Sequence, residues 1–229
     1  QKAPPARPAP GRADLEKRVR AIPFWFHRIT LPGGVVTPGR FPLQPEAYRI
    51  PSSLSGKRVL DVGARDGYWS FEALRRGARE VVAVDDFRLY PEEMVPEPKW
   101  ASFDLCREVL EIDPKRCRRE EMPVPQIPDA GLGRFDVIFC SNILMRMRYP
   151  LFALDRLAAV CDGDIWVETA IADDYSPYRG GLRHGYADGD MIMEFYPDAQ
   201  YGGNELNWWA PTLNCLVHML AAAGFAESR

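Results

Sequence analysis

Histidine is scarce in this chain. Only three stand among 229 residues, at 27, 184 and 218, and no zinc-type spacing joins them to one another or to the cysteines. The five cysteines, at 106, 117, 140, 161 and 215, are odd in number and form no Cys-x-x-Cys pair. That argues against a disulfide framework and for reduced, mostly buried thiols. No apolar run approaches the ~20 residues of a membrane span. Positive charge is not in excess: 29 Lys and Arg against 32 Asp and Glu leave a net charge of −3. Nucleic-acid binders usually carry a basic surface, so this balance does not favour one. No secretory signal is read from Gln1 onward, and with reduced thiols this gives a cytoplasmic expectation. No internal repeat is found.

What is present reads as one domain of ordinary size with elaborations, at 46% hydrophobic and 27% charged residues. Residues 1–12 hold four prolines, three alanines and two arginines, a disordered leader or extended arm. Residues 13–50 read as an N-terminal, lid-like unit. Asp14 caps a helix over 14–22, with Leu15, Val19 and Ile22 on one face. Residues 24–31 form a strand that turns at Pro32-Gly33-Gly34 into Val35-Val36-Thr37.

From residue 51 to 229 strands and helices alternate. Strands are expected at 57–62, 80–85, near 99–104, at 135–140 and at 164–170, and helices at 67–77, 150–161 and 210–223. The pattern predicts an α/β fold, a doubly wound, mostly parallel sheet with helices on both faces.

The stretch 57–67, Lys-Arg-Val-Leu-Asp-Val-Gly-Ala-Arg-Asp-Gly, carries the chemistry. An apolar strand ends in Asp61, a small-residue turn follows at Gly63-Ala64, and Gly67 opens a helix. Asp85 closes the next strand two dozen residues on. Such a strand–turn–helix–strand unit holds an adenosine-containing molecule at the carboxyl end of a parallel sheet. The pattern is Asp-x-Gly-x-x-x-Gly, not the Gly-x-Gly-x-x-Gly of a dinucleotide site. Asp61 and Asp66 beside the turn disfavour a pyrophosphate and suit a cationic amino-acid tail.

This stretch resembles the class I S-adenosylmethionine-dependent methyltransferases. Several further segments resemble one subgroup, related to the bacterial tRNA wobble-uridine carboxymethyltransferase/methyltransferase family. They are Phe24 to Ile29 with Gly34 to Gly39, Phe135 to Pro150, Asn207 to Pro211, and Leu220 to Phe225. The resemblance implies S-adenosyl-L-methionine as cofactor. Asp61, Gly63, Ala64 and Gly67 then shape the methionine pocket, and Asp85, before its neighbour Asp86, holds the ribose. Asp104 accepts from the adenine amino group with Leu105 beside it, and Ser141 and Asn142 line the sulfonium. Where the tRNA-modifying enzymes carry Leu-Tyr-His this chain has Leu144-Met145-Arg146. Met145 donates no hydrogen bond, which favours plain methyl transfer over use of a carboxylated cofactor. Arg146 either binds an anionic substrate group or pairs with a surface carboxylate. The fold of this family usually finishes with an antiparallel strand pair after the last helix, and the sequence ends at Arg229 inside the first.

Residues 171–209 form a long insertion, expected as the wall of a substrate pocket. Tyr175, Tyr178, Arg179, Glu194, Tyr196, Trp208 and Trp209 are its candidate acceptor contacts. His184 is the first candidate general base, with His27 and Arg146 also candidates for a catalytic part. Asp173, Asp174 and His184 are the residues round which a divalent metal would gather, but no metal is assigned. The leading expectation is a methyltransferase acting on a small molecule, aromatic or sugar-containing, most readily at oxygen. A tRNA-modifying enzyme comes second, favoured by basic residues at 115, 116, 118 and 119, and a non-enzymatic cofactor-binding subunit third. Oligomeric state is not legible.

Overall fold

The computed structural model describes residues 11–225 except 42, 44, 174, 183–185 and 188. The chain opens with α1 (Arg12–Ala21), then a two-residue hairpin of β1 (Thr30–Leu31) and β2 (Val35–Val36). The body follows as β3 (Arg58–Val62), α2 (Tyr68–Arg75), β4 (Glu80–Asp85), α3 (Ala101–Val109), β5 (Cys117–Glu121), β6 (Phe135–Ser141), α4 (Pro150–Ala158) and β7 (Cys161–Glu168). The insertion contributes β8 (Tyr175–Ser176), β9 (Gly181–Leu182), β10 (Met193–Phe195) and β11 (Trp209–Pro211), and α5 (Leu213–Ala222) ends the described chain.

The five body strands make one sheet in the order β5-β4-β3-β6-β7, and every pair in it is parallel. Register sets Asp61 opposite Ala83 and Phe139. Strand alternation then splits the core in two. Val59, Val81, Ala83, Val137 and Phe139 face Leu15, Val19, Trp69, Phe71 and Phe103 from α1, α2 and α3. Leu60, Val62, Val82, Val84, Ile138 and Cys140 face Leu154, Leu157 and Leu216 from α4 and α5. The expected doubly wound architecture is thus observed.

Several assignments differ. Residues 101–109 are a helix, because Phe103, Cys106 and Val109 recur at helical spacing and all three are buried against the sheet. The third strand lies instead at Cys117–Glu121, whose charged side chains pair sideways: Arg118 with Glu80, and Arg119 with Asp104. Two members of the basic cluster, Arg118 and Arg119, are therefore part of an edge strand held by ion pairs. Near the N-terminus, Gly11 rather than Asp14 takes the cap position of α1. Residues 24–29 run irregularly, with one bridge from His27 to Phe41. This segment does not hang free, since Leu15, Val19, Trp25 and Leu31 belong to the same core as Val59 and Trp69.

Candidate functional site

The site begins where β3 ends. Gly63 takes the left-handed conformation (φ 80°), and the N–H groups of Gly63 and Ala64 both donate to the Val84 carbonyl, at 2.9 and 3.2 Å. The turn is so close to the segment after β6 that a Cβ on Gly63 would lie 3.1 Å from the Ser141 carbonyl oxygen. Gly67, at φ 86°, caps α2. A Cβ there would meet the Phe71 ring at 2.6 Å and the Phe103 ring at 2.7 Å, so this glycine serves aromatic packing as well as the turn.

Three buried carboxylates surround the turn and do different things. Asp61 Oδ2 accepts the Ser70 hydroxyl at 2.6 Å, while its Oδ1 has no partner. Burial pushes this carboxyl up to about 7, with the Ser70 bond opposing and the Asp85 charge assisting. Asp85 Oδ2 accepts the Arg65 N–H at 2.8 Å, and among the described residues its Oδ1 has no partner within hydrogen-bond distance, with the Tyr90 side chain close by. Burial raises it to about 6 against the pull of the Arg65 charge. Asp66 turns away, accepting the backbone N–H groups of Phe26 and His27 at 2.6 and 2.8 Å, so it belongs to the N-terminal segment's anchorage. Asp86 caps the short turn after β4 and chelates Arg88 at 2.7 and 2.8 Å, which leaves Asp85 the available carboxylate.

The opposite wall follows β6. Asn142 adopts φ 55° and donates its N–H to the Glu168 carbonyl at 2.8 Å. The Glu168 carboxylate takes the Ser141 hydroxyl and, at 3.0 Å, the Tyr48 hydroxyl. Glu168 is a site residue that the sequence reading missed. Its one signal was position, as a lone carboxylate at the carboxyl end of β7. Leu144, Met145 and Arg146 form a buried turn. Among the described residues Arg146 makes no surface ion pair. It is 6% exposed, donates Nη1 to the Leu89 carbonyl and lies over the Tyr90 ring.

The expectations for five residues need correction. Asp104 stands on α3, where it accepts Arg107 at 2.9 Å and Arg119 at 2.7 Å, and Leu105 is buried in the core beneath it. Neither follows a strand, so neither stands where an adenine contact was expected. The residue after the true third strand is Met122, whose N–H donates to the Asp85 carbonyl at 3.0 Å. His27 is 3% exposed, packed between Phe26 and Tyr68, with burial and then the Arg65 charge lowering its pKa to about 3. An imidazole so weakly basic is a packing residue rather than a proton acceptor. Glu194 and Tyr196 do not face a pocket. The Glu194 carboxylate collects the hydroxyls of Ser176, Tyr186 and Tyr196 at 2.5, 2.8 and 2.7 Å, and Tyr196 is wholly buried with Ala172 and Ala210.

The insertion is thus folded about its own small core, and its outer aromatic residues make a shelf. Phe195 stacks on Trp208 at 6.3 Å and tilts against Trp209 at 4.7 Å, and the Arg148 guanidinium sits 3.8 Å from the Trp208 ring. The Trp208 N–H donates to the Met145 carbonyl at 2.8 Å, which fastens the shelf beside the turn after β6. Tyr178 is exposed and donates to the Phe195 carbonyl at 2.6 Å. Arg179 lies over Tyr186, and Tyr175 packs on Tyr201. Asp173 caps α5 by accepting the Leu213 N–H. His184 and Asp174 lie outside the described residues. Among those described, no three His, Cys, Asp or Glu side chains gather as metal ligands, and no helix is long and apolar enough to cross a membrane.

Comparison with known proteins places this geometry. A family model described as a methyltransferase domain matches residues 43–226. A tRNA U34 carboxymethyltransferase of Dichelobacter nodosus is 30% identical over 175 residues, covering 76% of this chain and 47% of that protein. The chain therefore spans about half the length of the curated relatives it matches. Among solved structures, the N-terminal domain of EvdMO1, crystallised in the presence of SAH and D-fucose, superposes with a TM-score of 0.65 at 21% identity, over 94% of this chain and 88% of that one. The [4+2]-cyclase SpnF superposes at 0.56 with 16% identity, over 93% and 68%.

Proposed function

The chain belongs to the methyltransferase domain family, as a class I S-adenosylmethionine-dependent member, and we propose that it methylates a small-molecule acceptor, at oxygen. The observation that carries the cofactor assignment is the Asp85 carboxylate. It is buried at the carboxyl end of β4 with one oxygen unpartnered, one strand away from the Gly63 turn. That oxygen, with the similarly unpartnered Oδ1 of Asp61, fits a ligand that brings hydroxyl and ammonium donors.

S-adenosylmethionine supplies a methyl group on a sulfonium whose leaving group is a neutral thioether. The chain's own task is then alignment and exclusion of water. Asp85 accepts the ribose hydroxyls, while Asp61, Gly63 and Ala64 border the amino-acid tail. Met122 takes the position beside the nucleoside first given to Asp104, and Ser141 and Asn142, held by Glu168, wall the sulfonium side. Phe195, Trp208, Trp209 and Tyr178 give a planar or sugar-bearing acceptor a shelf to lie on. His184 remains the proposed base for a hydroxyl acceptor.

The small-molecule reading is supported by the fate of the basic cluster. Arg118 and Arg119 are spent on Glu80 and Asp104, and Arg116 on the carbonyls of Ala78 and Arg79. A tRNA acceptor is the second reading, favoured by the names of the curated relatives. The test is titration with S-adenosylhomocysteine in a calorimeter, followed by transfer of labelled methyl to phenolic and sugar acceptors and to bulk tRNA. Failure of the full chain to bind the nucleoside sinks the enzyme reading. Methylation of tRNA, with affinity falling steeply as salt rises, replaces the first acceptor class with the second.

A further inference from the structure

Two buried arginines, Arg65 and Arg146, lie within reach of the Asp85 charge, and neither has been given a role in the proposed chemistry above. Arg65 sits in the middle of the Gly63–Gly67 turn at φ 50°, a conformation unusual for a residue with a side chain. It is 4% exposed. Its guanidinium carbon lies 4.1 Å from the Tyr90 ring centroid, and that of Arg146 lies 5.1 Å from the same centroid. Phe24 and Phe26 also cover Arg65. Among the described residues, Arg65 gives one side-chain N–H to the Met94 carbonyl and Arg146 one to the Leu89 carbonyl. Arg65 Nε and Nη1 and Arg146 Nε are buried with no hydrogen-bond partner among those residues.

Aromatic rings cover the faces of a guanidinium but leave the N–H groups along its edges unsatisfied. Buried donors on a cation are costly when unmade. The edge of a guanidinium matches a carboxylate, two N–H groups to two oxygens. We propose that Arg65 and Arg146 receive a ligand carboxylate beside Asp85, borne either by the amino-acid tail of the cofactor or by the acceptor. The proposal rests on the methyltransferase reading above and narrows it.

Calorimetry compares wild type, Arg65→Gln and Arg146→Gln with two probes. S-adenosylhomocysteine carries the carboxylate, whereas methylthioadenosine keeps the nucleoside and thioether without it. If the cofactor brings the carboxylate, each variant loses about ten- to a hundredfold in affinity for the first probe and none for the second. If the acceptor brings it, both nucleosides bind the variants as before. Sodium formate then shifts the arginine Nε resonances of the nucleoside-loaded wild type saturably, and the variants lose that response. Equal loss of both probes in variants that melt cooperatively, or unchanged nucleoside binding with no saturable formate response, overturns the proposal. If a glutamine variant does not fold, Arg146→Lys keeps the charge without the fork and serves the same comparison. A wild type that binds neither probe overturns the methyltransferase reading along with it.

Discussion

Asp85→Asn is expected to move stability and cofactor affinity in opposite directions. In the free protein the Asp85 carboxyl is pushed from 3.8 up to about 6 by burial. At about 1.4 kcal/mol per pKa unit, keeping it ionised costs the fold ~3 kcal/mol. Asparagine is nearly isosteric and neutral, and its amide oxygen still accepts the Arg65 N–H that Oδ2 holds at 2.8 Å. Some of that gain is returned, because the Arg65 charge loses a counter-charge. A net stabilisation of ~1–2 kcal/mol remains, a rise in melting temperature of ~2–8 °C for a domain of this size. The nucleoside sees the reverse. Hydrogen bonds to a charged acceptor contribute ~1.5–3 kcal/mol each, so replacing the carboxylate proposed to take both ribose hydroxyls should weaken binding about a hundredfold or more. Thermal melting and calorimetry with S-adenosylhomocysteine, both in mildly alkaline buffer, read the two quantities. Unchanged affinity, or affinity lost only together with a large fall in melting temperature, refutes the assignment of this carboxylate to the ribose.

Glu194→Gln should loosen the insertion by ~2–3 kcal/mol, since one amide oxygen cannot serve three hydroxyls; faster proteolytic cutting within residues 175–211, with nucleoside affinity retained, is the expected result. His27→Phe should preserve turnover and improve tolerance of acid. The unfolded chain takes up a proton at this position below about 6.5, whereas the folded one refuses it until about 3. Stability from this group is therefore present above that window and is lost as pH falls through it. Denaturant melts across the acid range should show wild type losing stability faster than the variant, and a large loss of turnover would return His27 to the chemistry.

Much of the fold was legible because most body strands are buried on both faces. Val81-Val82-Ala83-Val84 is apolar throughout, and its ends were read to the residue. The third strand was not, because an edge strand can carry charge: Cys-Arg-Arg-Glu-Glu satisfies itself with ion pairs to Glu80 and Asp104. The short apolar run before it therefore drew the strand assignment, although its spacing also suits the helix that forms. The placing of Asp61 and Asp85 beside the Gly63 turn was legible from position alone. Glu168 and Arg65 were not, since their meaning comes from partners distant in sequence: Tyr48 and Ser141 for one, Tyr90 and Asp85 for the other. Glu194 and Tyr196 misled for a related reason. Alternation put both on one side of a strand, and nothing local said that the side was inward.

The bond from Asp66 to the backbone of Phe26 and His27 bears on where the working unit starts. The family match runs from residue 43, yet the Gly63–Gly67 turn leans on peptide groups well before that point. A fragment trimmed at residue 43 deprives the buried Asp66 carboxylate of two backbone donors and removes Leu15, Val19, Trp25 and Leu31 from the core they share with Trp69. Hybrids between relatives should accordingly be joined ahead of Trp25, so that both backbone partners of the Asp66 carboxylate come from one parent.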